Sequence, residues 1–115
     1  MTVALYGIAN CDSVKRARAW LEANGFAYRF HDFKREGVDP TRLVAWAASA
    51  GWEVLLNRRG TTWRRLAESE RGIATPEAAL ALMAAHPSLM KRPVAEHGGG
   101  LLVGFDAARW TAALA

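Results

Sequence analysis

The sequence predicts an α/β domain, a mixed four-stranded sheet with a helical insert placed before a C-terminal hairpin. Three observations carry that expectation. The first third alternates a strand, an amphipathic helix and a second strand. The middle third shows helical periodicity and helix caps. The last third holds two short apolar runs around a glycine run, followed by a capped helix. A chain of 115 residues fits one such domain, residues 1–115, because that length can bury one core and hardly two.

Val3, Leu5 and their neighbours form a short apolar run that ends at Gly7, which reads as a buried strand and a turn. From Asp12 to Asn24, Val14, Ala17, Trp20 and Leu21 recur at helical spacing, with Lys15, Arg16, Arg18 and Glu22 outside and Asn24-Gly25 as the stop. Phe26, Tyr28 and Phe30 alternate with Ala27, Arg29 and His31 as a second strand, and a strand–helix–strand of this length makes a parallel crossover. Asp39-Pro40 opens a helix that carries Leu43, Val44, Trp46 and Ala47 and ends at Gly51. Val54, Leu55 and Leu56 read as a short buried turn, and Thr61 or Thr62 as the cap of a helix through Trp63 and Leu66. Thr75-Pro76-Glu77 opens another, with Ala79, Leu80, Leu82 and Met83 inward, ending near His86-Pro87. After Arg92-Pro93, Val94-Ala95 and Leu101 to Val103 flank His97 and three glycines as a hairpin, and Asp106 caps a last helix with Ala107, Trp110, Ala113 and Leu114. This order is that of a thioredoxin-like sheet with helices inserted before the hairpin.

Composition narrows the class. The chain is 51% hydrophobic and 23% charged with five tryptophans, the balance of a folded globular protein. No apolar run approaches the ~20 residues of a membrane span, and the N-terminus lacks a basic region and a signal core, so a cytoplasmic location and no membrane partner are expected. The single cysteine excludes an internal disulfide and a multi-cysteine zinc site, and suits a reducing compartment. The net charge of +4 is carried mainly by arginine and gathers at Arg58, Arg59, Arg64 and Arg65, which admits acidic partners. Nucleic-acid binding is not expected, because only Trp63 stands among those charges. His31, His86 and His97 share no metal-like spacing, so no metal site is expected, and the tryptophans at 20, 46, 63 and 110 read as core.

Chemistry concentrates at Cys11. It follows a strand and opens a helix, so its sulfur faces unpaired amides and the positive end of the helix dipole, which favour thiolate over thiol. Lys15 and Arg18 lie on the same side of that helix and would add positive potential. The alternative is a buried, inert thiol. Arg92, before Pro93 and the third strand, can deliver a guanidinium fork to a thiolate or an oxyanion, or be a surface arginine. Asn57, Arg58 and Arg59 precede a helix and could bind an anion there, or form a solvated basic loop.

The string from Tyr6 to Ala17, Tyr6-Gly7-Ile8-Ala9-Asn10-Cys11-Asp12-Ser13-Val14-Lys15-Arg16-Ala17, resembles the nucleophile loop of the arsenate-reductase-like ArsC/Spx/YffB family, especially its YffB branch. The resemblance continues through Leu56 to Trp63, through His86 to Pro93 and to Val103-Gly104-Phe105, which is nearly the whole chain. It implies a thioredoxin-like fold, Cys11 as catalytic nucleophile and Arg92 as its charge-stabilising partner, with a cis Arg92–Pro93 peptide. Asn10, Lys15, Asn57, Arg58, Arg59 and Pro93 are the substrate-binding candidates. Of three oxyanion-binding arginines in the family's arsenate reductases, one maps on Arg92, one on or beside Asn57 with Arg58 adjacent, and one on Gly104-Phe105, where it is missing. The function implied is a thiol oxidoreductase with no bound cofactor, glutathione as co-substrate and glutaredoxin as a partner. The alternative is a Spx-like regulator that binds RNA polymerase, but its Cys-x-x-Cys switch has Val14 at the second position.

Overall fold

The computed structural model describes residues 1–115, which gather into two compact units. Met1–Glu36 and Arg92–Ala115 form the first, and Gly37–Lys91 the second.

The first unit holds strands β1 (Thr2–Gly7), β2 (Ala27–Asp32), β3 (Val94–His97) and β4 (Gly100–Val103), and helices α1 (Asp12–Ala23), α2 (Phe33–Glu36) and α8 (Ala107–Leu114). The strands form one sheet in the order β2-β1-β3-β4. β1 and β2 are parallel, with Leu5 opposite Phe30, whereas β3 runs antiparallel to both β1 and β4. The sheet is therefore mixed, as expected, because α1 supplies the crossover that a parallel pair requires.

Alternation along the strands sends Val3, Leu5, Ala95 and Leu102 to one core with Ala17, Leu21 and Trp110. Trp110 is fully buried, and its indole Nε1 donates to the Gly104 carbonyl at 3.0 Å. Around it Trp20 lies edge-on, with Phe105 at 5.1 Å from the Trp110 ring centre. Gly104 can accept these bonds because it sits at φ 74°, which a glycine adopts without a Cβ penalty. Asp106 caps α8, accepting from the Arg109 amide at 2.9 Å, as its sequence predicted.

The second unit contains α3 (Pro40–Ala50), α4 (Trp52–Leu55), α5 (Thr61–Arg65), α6 (Glu68–Arg71), α7 (Pro76–Ala85) and a 3-10 turn at Pro87–Leu89. Asp39 and Thr75 cap α3 and α7 through their side chains. Leu43, Trp46, Leu55, Leu56, Ala79, Met83, Leu89 and Met90 are buried. Two backbone bonds, Asn57 N–H to Leu89 at 2.8 Å and Lys91 N–H to Leu55 at 2.7 Å, tie the segment after α4 to the one after α7.

Several expectations are corrected. Leu55 and Leu56 are buried as expected, but they close helix α4 rather than form a turn, and Val54 in α4 is exposed, as is Val44 on α3, because only one stripe of each helix meets neighbours. Neither Thr61 nor Thr62 caps α5. Gly60 holds that position, and the Thr62 hydroxyl is engaged with Ser88 at 2.8 Å. Ala113 is exposed on α8, and Trp20 and Trp63 are only half-buried. The four-residue helices α2 and α6 are too short to show a period, and both depend on carboxylates, Glu36 accepting from the Asp32 amide and Glu70 from the Ala67 amide.

Candidate functional site around Cys11

β1 ends at Gly7, under the first turn of α1. A Cβ at position 7 would stand 2.7 Å from the Val14 Cγ2, so only glycine lets the loop of Ile8, Ala9 and Asn10 turn this closely into the helix. Cys11 then occupies the N-cap of α1 with extended backbone, φ −122° and ψ 128°, and its carbonyl accepts the Lys15 amide at 2.9 Å. The thiol is partly exposed and free.

β3 pairs with β1 so that Val94 lies opposite Tyr6. The residues just before Val94 therefore flank the end of β1, where the cysteine loop begins. Arg92 and Pro93 are those residues. Their peptide is cis, as the resemblance implied, Pro93 is fully buried, and its carbonyl accepts the Gly104 amide at 2.8 Å. The Arg92 Nε is buried, and the side chain is hydrogen-bonded to Cys11.

Opposed influences act on the sulfur. Partial burial is the largest, and it raises the pKa. The Val14 amide, the Arg92 hydrogen bond, the Ser13 amide and the Arg92 charge act the other way and together prevail, so the thiol titrates below its ordinary value. The sulfur thus sits under the influence of the Ser13 and Val14 amides and one guanidinium while remaining partly exposed to an electrophile.

The other candidates fall in different places. Asn10 and Lys15 are exposed beside Cys11 in the first unit. Arg18 does not serve the thiol, because its guanidinium stacks 4.6 Å from the Phe30 ring and its Nε donates to the Tyr28 hydroxyl at 3.1 Å. Asn57, Arg58 and Arg59 lie in the second unit, where the Asn57 Oδ1 accepts the Arg59 amide at 3.0 Å and locks the turn before α5. Gly104-Phe105, where the family's third arginine falls, carries no cation, and the guanidinium of neighbouring Arg109 caps the Val103 and Gly104 carbonyls at 2.8 and 3.1 Å. A cysteine at a helix start points to helix amides in general, whereas the particular parts of Ser13, Val14 and Gly7 depend on how the loop packs on α1, and only a glycine before a helix start hints at such close approach. No three His, Cys, Asp or Glu side chains gather closely enough to hold a metal ion, and no helix is long and apolar enough to cross a membrane.

A mixed sheet with a cysteine at the N-cap of its crossover helix, and a proline before the facing strand, defines a thioredoxin-like domain built around one thiol. The ArsC family profile matches residues 6–113, and the chain belongs to the ArsC family. It is 48% identical to a protein named YffB, with a TM-score of 0.94 over 98% of this chain and 99% of that one. An arsenate reductase (ArsC) related protein from Brucella melitensis is 49% identical, with a TM-score of 0.77 and coverage of 97% and 93%. An uncharacterized protein of Haemophilus influenzae is 38% identical over 113 residues, 98% of this chain and 99% of the relative. The likeness extends, at 24% identity over 106 residues, to the global transcriptional regulator Spx 1 of Lactococcus lactis, covering 90% of this chain and 82% of that one.

Proposed function

We propose that this protein is a glutathione-dependent thiol oxidoreductase in which Cys11 is the nucleophile and Arg92 stabilises its charge. The observation that supports this reading is the placement of Cys11 at the N-cap of α1 beside Arg92, which the pairing of β3 with β1 brings to the cysteine loop, an arrangement that lowers the thiol's pKa. The Cys11 thiolate attacks one sulfur of a substrate disulfide; the new S–S bond forms as the old one breaks, and the other half leaves as a thiolate that takes a proton from water. Glutathione thiolate then attacks the mixed disulfide and releases the second half of the substrate or the Cys11 thiolate. A further glutathione, or glutaredoxin, completes the two-electron reduction and leaves oxidised glutathione. Such a cycle needs a reduced thiol pool, and a cytoplasmic location supplies one.

Arsenate is the weaker substrate in this reading. A doubly charged oxyanion needs several fixed cationic donors, and each missing charge-assisted hydrogen bond costs about 1.5–3 kcal/mol, roughly one to two powers of ten in rate. Arg92 is the one arginine paired with Cys11, and Gly104-Phe105 supplies none. The test is a coupled NADPH assay with glutathione, glutathione reductase and glutaredoxin, run on arsenate and on a model disulfide with wild type and Cys11→Ser. Disulfide turnover lost in Cys11→Ser is expected. Equal rates for the two proteins on both substrates would remove the enzymatic reading, and brisk arsenate turnover would remove the substrate preference.

The Spx likeness favours a second reading, a regulator that binds RNA polymerase. With Val14 three residues after Cys11, an internal disulfide cannot form, so any such binding would be independent of an internal redox switch. A pull-down with purified polymerase, with and without oxidised glutathione, tests it.

A further inference from the structure

The second unit carries four arginines within eight positions, Arg58 and Arg59 in the turn before α5 and Arg64 and Arg65 at its end, all exposed. No carboxylate lies within ion-pair distance of any of them. Exposed cations without counter-charges are ordinary when mobile, but Arg58 is not free to roam. Its guanidinium carbon lies 5.9 Å from the Trp52 ring centre and 5.7 Å from that of Trp63, so two half-buried indoles hold it by cation–π contact. The turn beneath is also held, by the Asn57 Oδ1 bond to the Arg59 amide and by the Asn57 amide bond to Leu89. A guanidinium fixed before binding loses less entropy on binding, and arginine with tryptophan is the composition of interface anchors.

We propose that Arg58, Arg59, Arg64 and Arg65, with Arg58 set by Trp52 and Trp63, form a docking surface for a short acidic segment of another protein. Arginine forks match carboxylates in pairs, and lysine is absent from the cluster. A nucleic acid fits less well. The indoles that would stack bases already contact Arg58, and two carboxylates, Glu68 and Glu70, follow the cluster in the sequence, which interrupts its positive charge for a long polyanion. Docking here does not require Cys11.

The experiment is fluorescence anisotropy on the full chain with three labelled probes, an octa-glutamate peptide, an octa-glutamine peptide and a single-stranded DNA of equal charge. The octa-glutamate should bind tightest and weaken as salt rises. Replacing all four arginines by glutamine should weaken it at least tenfold, and Arg58→Gln alone at least threefold. Trp63→Leu should weaken wild type but add nothing to Arg58→Gln, which a general loss of structure would not reproduce. Melting curves accompany each variant, and if the fourfold variant is unfolded the single Arg58→Gln decides. Octa-glutamate binding no tighter than octa-glutamine, tighter binding of the DNA, or unchanged binding by a folded Arg58→Gln each overturns the proposal.

Discussion

Two side chains define the behaviour of the thiol at the scale of single residues. Because Arg92 both donates a hydrogen bond to Cys11 and adds charge, its removal takes away two of the influences that lower the thiol's pKa. Iodoacetamide alkylation of wild type should follow a midpoint below the free-cysteine value of about 8.5, and Arg92→Ala should move that midpoint upward while Arg92→Lys restores part of it. A wild-type midpoint at or above the free value would leave Cys11 an ordinary cysteine. Gly7 matters through the space it leaves. In Gly7→Ala the new methyl meets the Val14 Cγ2 at 2.7 Å, and Val14 is fully buried and β-branched, so the backbone must move instead. Overpacking of this kind costs about 1–3 kcal/mol, to be read from the denaturant midpoint. The same displacement shifts the Val14 amide, so alkylation at neutral pH should slow as well.

At the scale of elements, helix caps and strand pairing place the site. α8 begins at Asp106, whose carboxylate accepts the Arg109 amide, and Asp106→Ala should cost about 1 kcal/mol as a lost cap. Asn at that position should cost little, which separates capping from loss of charge. The register of β3 against β1 brings Arg92 to the cysteine loop, because Tyr6 faces Val94. β1, α1, β2, the hairpin and the capped helices were legible in the sequence, since each carried periodicity or a cap. Illegible were α2 and α6, one turn each, and the start of α5, where Gly60 rather than a threonine takes the cap. A hydroxyl can cap a helix or pair elsewhere, and Thr62 pairs with Ser88, distant in sequence.

For the whole molecule, the folded state holds Cys11 at a lower pKa than the unfolded chain does. The linkage sign follows: the group adds stability above the unfolded value near 8.5, and the gain is lost as pH falls through the lowered folded value. Wild type should therefore gain stability relative to Cys11→Ser as pH rises between those two values, and denaturant titrations at a series of pH values would measure it. A difference that stays flat or narrows would contradict the lowered pKa. The core of the first unit rests on Trp110, fully buried with α1 and sheet residues in one cluster, and Trp110→Ala should cost about 3–5 kcal/mol.

Local patterns by themselves determined the strands, the longer helices, the helix caps at Asp39, Thr75 and Asp106 and the cysteine at a helix start, because each depends on residues within a turn or two of one another. Only tertiary structure decided which cations serve the thiol. Arg18, seven positions along the same helix, is drawn to Phe30 and Tyr28 on β2, whereas Arg92, far away in sequence, is carried to the sulfur by an antiparallel pairing. Charge near a group along the chain is a matter of spacing. Charge near it in space depends on strand register and on which aromatic faces compete for the guanidinium, and neither can be read from one segment alone.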